Sequence, residues 1–419
     1  MSKMNFKSIA MLSTHGYFDA VPTLGRTDTG GQVVYVLELA KALGRMGINV
    51  DIYTRWFDEN DQQINPVPGV PNARVIKIRA GDWGFVPKEF IYDLLPELAD
   101  NMVKFIKDNG LDYDLYNGHY VDAGIVALDV AKRLGRPCYF TPHSLGAWKQ
   151  DQMGGDPVEM EQKFNFKLRN SEEMKLFKAV NGLSLTTQLQ YEKLKELYNY
   201  DADNIEIIPP GVDIHRYIPP TPEDLKVDTR TPEKFILCLS RIDTNKGHDL
   251  LLNAFALIKD QVKDVDLVIA GGSPNPKPRE LGVFAMMDEI ISKNNMEERV
   301  SKIGYVADDM MKPLYQQSQL FVLPSLFEPF GMTTQEAMAC GKAVIASKFG
   351  GIRNVLSHGV DGMLVDAANP REFADALLEL LQDDEKRKNM GIAARKLIEK
   401  EFSWEAIAEK FLEFYQAYL

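Results

Sequence analysis

The sequence predicts an α/β protein made of two doubly wound domains that face each other across a cleft. Three observations carry this. Short apolar runs of strand length alternate with amphipathic stretches along almost the whole chain, the pattern of a mostly parallel sheet covered by helices. The alternation begins again at Phe235, after a polar, Pro-rich connector. At 419 residues the chain is too long for one ordinary core, so two domains of about 200 residues each are expected.

Taken in order, Ser8-Ile9-Ala10-Met11-Leu12 is the first strand, and a long loop follows through Asp28-Thr29-Gly30-Gly31-Gln32. A loop of that length between a strand and its helix is usually functional. The Gly30-Gly31 pair lets backbone approach a ligand at a helix N-terminus. That helix carries Val33, Val34, Leu37, Ala40 and Leu43 on one face and is expected to end at Gly44 and Gly47. Further strands are predicted at 50–53, 75–78, 138–140, 183–185 and 205–208. Pro209-Pro210-Gly211 and the Pro-rich stretch to Pro222 then read as the connector. The second half has strands at 235–239, 267–270, 320–323 and 344–346. The expected domains are residues 1–211 and 212–401, both Rossmann-like. No Gly-x-Gly-x-x-Gly stands at a strand-to-helix turn, which disfavours NAD.

A net charge of −12 argues against nucleic acid or an anionic membrane as partner, since both need a dominant basic face. Cys138, Cys238 and Cys340 are odd in number, far apart and embedded in apolar segments, so reduced thiols in a cytoplasmic protein are expected. The N-terminus runs directly into a strand, and no apolar run reaches membrane-spanning length.

The densest chemistry follows the strand at 320–323, in Phe327-Glu328-Pro329-Phe330-Gly331-Met332-Thr333-Thr334-Gln335-Glu336. A turn at a strand's carboxyl end, followed by a helix from about Thr333 to Cys340, offers backbone N–H groups and a positive dipole end to an anion. Glu328 and Glu336 flank that end and would repel a bare phosphate; ionised carboxylates accept from hydroxyls instead. A ligand with phosphates in the middle and polyols on both sides fits, which is a nucleotide sugar. Arg241 and Lys246 follow the strand at 235–239, where a diphosphate would account for two cations in so acidic a chain. Gly271-Gly272-Ser273 and Gly304-Tyr305-Val306 also follow strands and are expected to line the nucleotide, and His143 stands just after the strand at 138–140. Asp-x-Asp pairs at Asp112/Asp114, Asp201/Asp203 and Asp264/Asp266 precede strands, away from the expected site, so no metal is predicted.

Glu328-x7-Glu336 and Arg241-x4-Lys246 resemble the signatures of retaining glycosyltransferases of the GT-B fold, the family that includes sucrose-phosphate synthase and mannosylfructose-phosphate synthase. Likeness to the latter type extends over nearly the whole chain, through Ser13-Thr14-His15-Gly16-Tyr17, Asp28-Thr29-Gly30-Gly31-Gln32, Phe164-Asn165-Phe166-Lys167 and Thr244-Asn245-Lys246-Gly247. The resemblance implies catalytic roles for His143, Arg241, Lys246 and Glu328, with His143 positioning rather than attacking. It implies donor contacts from Gly30, Gly31, Arg241, Lys246, Gly272, Tyr305, Val306, Glu328, Phe330, Gly331, Met332, Thr333 and Glu336. Glu328 would meet the hexose, Glu336 the ribose, and the Tyr305 loop the base. It gathers Gly31, Gln32, Lys88, Tyr120, Lys149, Lys167 and Arg169 around the acceptor, fructose 6-phosphate, although position 168 is Leu where a charged residue is usual. It implies no cofactor beyond the nucleoside diphosphate sugar, small-molecule partners only, and a terminal helix over 402–419 crossing back onto the first domain. The implied activity is hexosyl transfer to fructose 6-phosphate, from GDP-mannose or, as in sucrose-phosphate synthase, UDP-glucose. The alternative of another class is a non-catalytic nucleotide-sugar or phosphosugar binding protein.

Overall fold

The computed structural model describes residues 6–21, 30–221, 230–326, 328 and 330–419. Asp28, Thr29, Pro222, Phe327 and Pro329 lie outside the described residues. The chain divides into two compact units, Met1–Gly211 with Trp404–Leu419, and Val212–Ser403.

The first unit is built on an eight-stranded sheet of β1 (Ser8–Leu12), β2 (Asn49–Trp56), β3 (Ile64–Pro66), β4 (Ala73–Arg79), β5 (Leu115–His119), β6 (Cys138–Thr141), β7 (Gly182–Leu185) and β8 (Ile205–Ile207), in spatial order 3-4-2-1-5-6-7-8. Every pairing is parallel except that of β3 with β4. Successive residues of β1 enter different cores: Ala10 and Leu12 pack with Ile76, Val126 and Phe140, Ile9 and Met11 with Val36, Leu39 and Phe411. Both faces of the strand are therefore apolar, as a helix-covered parallel sheet requires. Phe411 belongs to the terminal helix Trp404–Ala417, and a Cβ on Gly211 would lie 2.6 Å from the Trp404 ring.

The second unit has six parallel strands, β9 (Phe235–Leu239), β10 (Asp266–Ala270), β11 (Val300–Gly304), β12 (Leu320–Leu323), β13 (Val344–Ser347) and β14 (Met363–Val365), in order 11-10-9-12-13-14. Numbered within the unit this is 3-2-1-4-5-6, the doubly wound dinucleotide-fold order. Ile236 and Cys238 face one core, and Phe235, Leu237 and Leu239 the other.

In each sheet the strand order reverses beside the first strand, between β1 and β5 and between β9 and β12. Ligands of such sheets bind outside the carboxyl ends at that reversal. The elements that flank it are thus the ones to inspect.

Several local expectations change. β3 and β14 are absent from the sequence prediction, and β5 and β11 enter it only as strands without bounds, after Asp114 and before Tyr305. Gly44 does not end its helix but lies inside Gly31–Arg45, where a Cβ would stand 2.5 Å from Val70 Cγ1; Gly47, at φ +89°, follows the end. Val34 on that helix is only half-buried, while Tyr35, Val36, Leu39 and Ala42 are buried with Val33 and Leu37. All three cysteines are free and buried, and burial pushes the Cys238 and Cys340 thiols up to about 12. Among the described residues no helix is long and apolar enough to cross a membrane.

Candidate active-site regions of the two units

In the second unit, β9 leads through Ser240 and Arg241 into the 3-10 turn Thr244–Lys246 and the helix His248–Ile258. Gly247, at φ +70°, makes this turn possible, since a Cβ there would lie 2.3 Å from the carbonyl oxygen of Pro324 beyond β12. The glycine brings the two loops at the strand reversal into direct contact. Lys246 is 4% exposed, and its Nζ donates to Glu328 Oε2 at 2.6 Å. Arg241 is exposed, and no described residue pairs its guanidinium. His248 is buried, its Nε2 3.1 Å from Ser240 Oγ; burial, and next the Lys246 charge, lower its pKa to about 4, so it is neutral at pH 7.

Gly331, at φ +83°, caps the helix Met332–Ala339 with no side-chain bond to its amides. The sequence offers the N–H groups at this helix start to an anion, but Thr334 N–H donates to Gly331 O at 3.0 Å. The available set narrows to the N–H groups before it. Glu336 accepts from Tyr315 Oη at 2.6 Å. Burial raises its pKa to about 7 against the opposing pull of the Tyr315 hydroxyl and Arg216, which is itself paired with Asp308. Gly272 follows β10 at φ +96°, and a Cβ on its neighbour Gly271 would fall 1.8 Å from Ser240 O, so backbone packs on backbone beside Arg241. Tyr305 is exposed and Val306 buried after β11. Phe330 and Thr333 are half-buried and Met332 is exposed.

In the first unit, the loop after β1 and the chain after β5 meet through polar bonds. Gln32 Nε2 donates to Ser13 Oγ and to His119 O, both at 3.2 Å. Thr14 and His15 bond the buried carboxylate of Asp122. Gly30 has extended φ, and neither it nor Gly31 has anything within 4 Å of a built Cβ, so the pair leaves open space rather than forming a turn. His143, after β6, takes φ +58°, and its Nε2 lies 3.0 Å from His119 Nδ1. Burial, with the nearby His15, lowers the His143 pKa to about 3, and burial with His143 holds His119 well below its usual value. Both rings are neutral at pH 7. Tyr120 also has positive φ, +79°, so two non-glycine residues with strained backbone flank the same strand ends.

The basic residues named from sequence fall into two kinds of setting. Lys88 Nζ is 3.8 Å from Glu89, whose carbonyl accepts from Asn165; Lys149 lies 5.0 Å over the Phe164 ring. Lys167 is exposed in the next helix, Phe166–Ala179. These three therefore cluster about the Phe164-Asn165 turn. Arg169 is instead buried, bonded through Nε to Glu173 and through Nη2 to both oxygens of Ser144, with its guanidinium 4.6 Å over Tyr120. Glu173 and Asp122 escaped the sequence reading, which quoted Thr14 only within a family likeness and gave it no role. Glu173 and Asp122 lie inside helices, where an acidic residue ordinarily marks a solvated face. Of the Asp-x-Asp carboxylates, Asp112 bonds Arg136, Asp114 the N–H groups of Lys7 and Ser8, Asp201 Lys195 and Tyr191, Asp264 Lys234 and Asp266 Arg299, at the amino ends of β5, β8 and β10.

Two doubly wound units, each with polar side chains at the strand reversal and one with Arg241 and Lys246 among them, are the architecture of a GT-B glycosyltransferase. The profile described as glycosyl transferases group 1 matches residues 222–397, and that of glycosyltransferase family 4 matches residues 29–216. The chain belongs to this GT-B glycosyltransferase family and is a hexosyltransferase. Mannosylfructose-phosphate synthase of Agrobacterium fabrum is 35% identical over 97% of this chain and 90% of its own. D-inositol 3-phosphate glycosyltransferase of Corynebacterium glutamicum is 30% identical over 97% and 96%. Among solved structures, sucrose-phosphate synthase from Thermosynechococcus elongatus superposes with a TM-score of 0.73 at 26% identity, covering 98% of both chains.

Proposed function

We propose that the protein is a retaining glycosyltransferase that moves a hexosyl group from a nucleoside diphosphate sugar to fructose 6-phosphate, with GDP-mannose as donor. The observation that carries the donor half is the buried Lys246 amine beside Glu328, at the strand reversal of the second unit. Breaking the anomeric bond leaves negative charge on the diphosphate. Lys246, Arg241 and the amides at the start of the helix Met332–Ala339 oppose that charge as preorganised donors. Glu328 then accepts from hexose hydroxyls and Glu336 from the ribose, while Tyr305 and Val306 line the base. His143, neutral and fixed on His119, positions the sugar and does not attack it.

The acceptor half rests on Lys88, Lys149 and Lys167 around the Phe164-Asn165 turn, with Gln32 and Tyr120 added from the polar side chains at the strand reversal of the same unit. Such a cluster suits a sugar phosphate, and two relatives carry a phosphorylated polyol in their names. UDP-glucose as donor is the second reading, favoured by the superposition on sucrose-phosphate synthase. No metal ion is required in this scheme, because side-chain cations and backbone amides supply the charge. The reaction is expected to run unchanged in EDTA.

The test is a panel of nucleoside diphosphate sugars with fructose 6-phosphate, read by mass spectrometry of the product and by released nucleoside diphosphate. A hexosyl-fructose phosphate from GDP-mannose supports the reading. Preference for free fructose would remove the role given to the lysine cluster, and preference for UDP-glucose would select the second reading.

A further inference from the structure

One carboxylate at the strand reversal of the first unit has no part in the scheme above. Asp122 is the second residue of the helix Val121–Leu134 and is fully buried. Its Oδ2 accepts the Thr14 hydroxyl, and both carboxylate oxygens lie 3.0 Å from His15 Nδ1. Burial alone would raise its pKa, but His15 and the Thr14 hydroxyl hold it below the ordinary value, so the group is ionised at pH 7. Thr14 and His15 lie just after β1, and Asp122 just after β5. The carboxylate thus joins the two strands at which the sheet order reverses.

The His15 ring is held on a second side by the edge of Tyr120, with centroids 4.8 Å apart. An ionised carboxylate only accepts, so Nδ1 carries the proton that it receives. Nε2 is then the remaining polar atom of the ring, and no described residue bonds it. Ser13, on the same loop two residues before His15, takes Gln32 Nε2 at 3.2 Å, and Gln32 and the Tyr120 that packs on the His15 ring are both assigned above to the acceptor.

We propose that Asp122 is a positioning residue for transfer: with Thr14 it fixes the His15 ring so that Nε2 meets a hydroxyl of the acceptor. This rests on the proposed function only in taking the acceptor to be a hydroxylated sugar phosphate. Asp122 acts through His15, as carboxylates that orient imidazoles do elsewhere. Its removal misplaces a contact without touching the donor.

The experiment is a double-mutant cycle on the full chain. Asp122→Ala and His15→Ala are each expected to lower kcat/KM for the acceptor about 10²-fold, the cost of a misplaced contact near the reacting atoms. The double variant is expected to be no more than about twofold worse than His15→Ala, because the two side chains work as one unit. Nucleoside diphosphate affinity, measured by calorimetry, is expected to stay within about twofold in all variants. Asp122→Asn keeps an oxygen for His15 Nδ1–H and turns its amide toward Thr14 Oγ, so it is expected to fold normally and recover about tenfold over Asp122→Ala. Nitrogen-15 spectra of the histidines are expected to show Nδ1-protonated His15 in the parent and loss of that signature in Asp122→Ala. Full multiplicative losses in the double variant would overturn the proposal. So would an Asp122→Asn protein that does not fold, since Asp122 would then be an anchor only. Failure of the acceptor assignment is distinct: it appears in the parent enzyme as no transfer to fructose 6-phosphate, and the cycle is then run with the panel acceptor that reacts.

Discussion

Each unit holds a buried cation against a glutamate, and the two pairs behave differently. Arg169 with Glu173 is a closed network: Glu173 also accepts from Gly146 N–H and the Tyr198 hydroxyl, and Arg169 also bonds Ser144. Lys246 with Glu328 is open. The ammonium has three donors and a single described partner, and Glu328 is 21% exposed. The difference shows that burial of a cation does not mark a ligand site. What marks it is the number of fixed partners, because a ligand can replace one carboxylate far more cheaply than it can dismantle a network.

The largest effect that checks this contrast is on stability. Arg169→Ala strands Glu173 in the interior without its cation, and removing one member of a buried pair costs about 3–5 kcal/mol. Urea unfolding should show that loss, and an unchanged midpoint would mean the network is not closed. Lys246→Ala is expected to do the reverse. It should leave the unfolding midpoint close to the parent's and lower turnover about 10²- to 10³-fold, the usual cost of losing one preorganised donor to a developing anion. Near-normal turnover would remove Lys246 from the scheme.

A smaller effect of unexpected sign tests how exchangeable the open pair is. If Glu328 stands where a diphosphate oxygen will stand, neutralising it frees the ammonium. Glu328→Gln should then bind free nucleoside diphosphate about tenfold more tightly, roughly one charge-assisted bond's worth, while transfer falls. Equal or weaker affinity by calorimetry would show that the ligand does not compete for Lys246.

The same contrast explains what could be read from the sequence. The second unit's site is compact in the chain: Arg241 and Lys246 follow one strand, Glu328 to Glu336 follow another, and strands as apolar as Leu320-Phe321-Val322-Leu323 announce themselves. The first unit's site depends on β5, whose Leu115-Tyr116-Asn117-Gly118-His119 has no apolar run. Gly118 packs closely on Gly124 of the following helix, while the buried Asn117 is satisfied from far away, by the Tyr415 hydroxyl at 2.7 Å. Nothing local signals such partners. The Asp122 network was hidden for the same reason, since Thr14 and Asp122 are 108 residues apart. Family likeness drew attention to Lys88, Lys149 and Lys167, but it did not distinguish them from Arg169, whose closed setting is a property of packing.

Glu336 lies between the open and closed cases, and pH resolves where. It has hydroxyl partners in Tyr315 and Tyr217 and feels the charge of Arg216, yet burial raises its pKa to about 7. A raised carboxyl pKa means that the folded chain keeps a proton which the unfolded chain has already lost. This contribution therefore weakens stability as pH rises from the ordinary carboxyl range toward 7, and changes little above that. Donor binding runs the other way, because only the ionised form accepts from both ribose hydroxyls. Affinity for a nucleoside diphosphate sugar, whose diphosphate diester does not titrate here, should weaken as pH falls below 7, by up to about tenfold per unit for one linked proton. In Glu336→Gln the affinity should be lower at pH 8 and flat from pH 6 to 8. A parent enzyme whose donor affinity is equally flat over that range would place Glu336 with Glu173, as a carboxylate already satisfied by the fold.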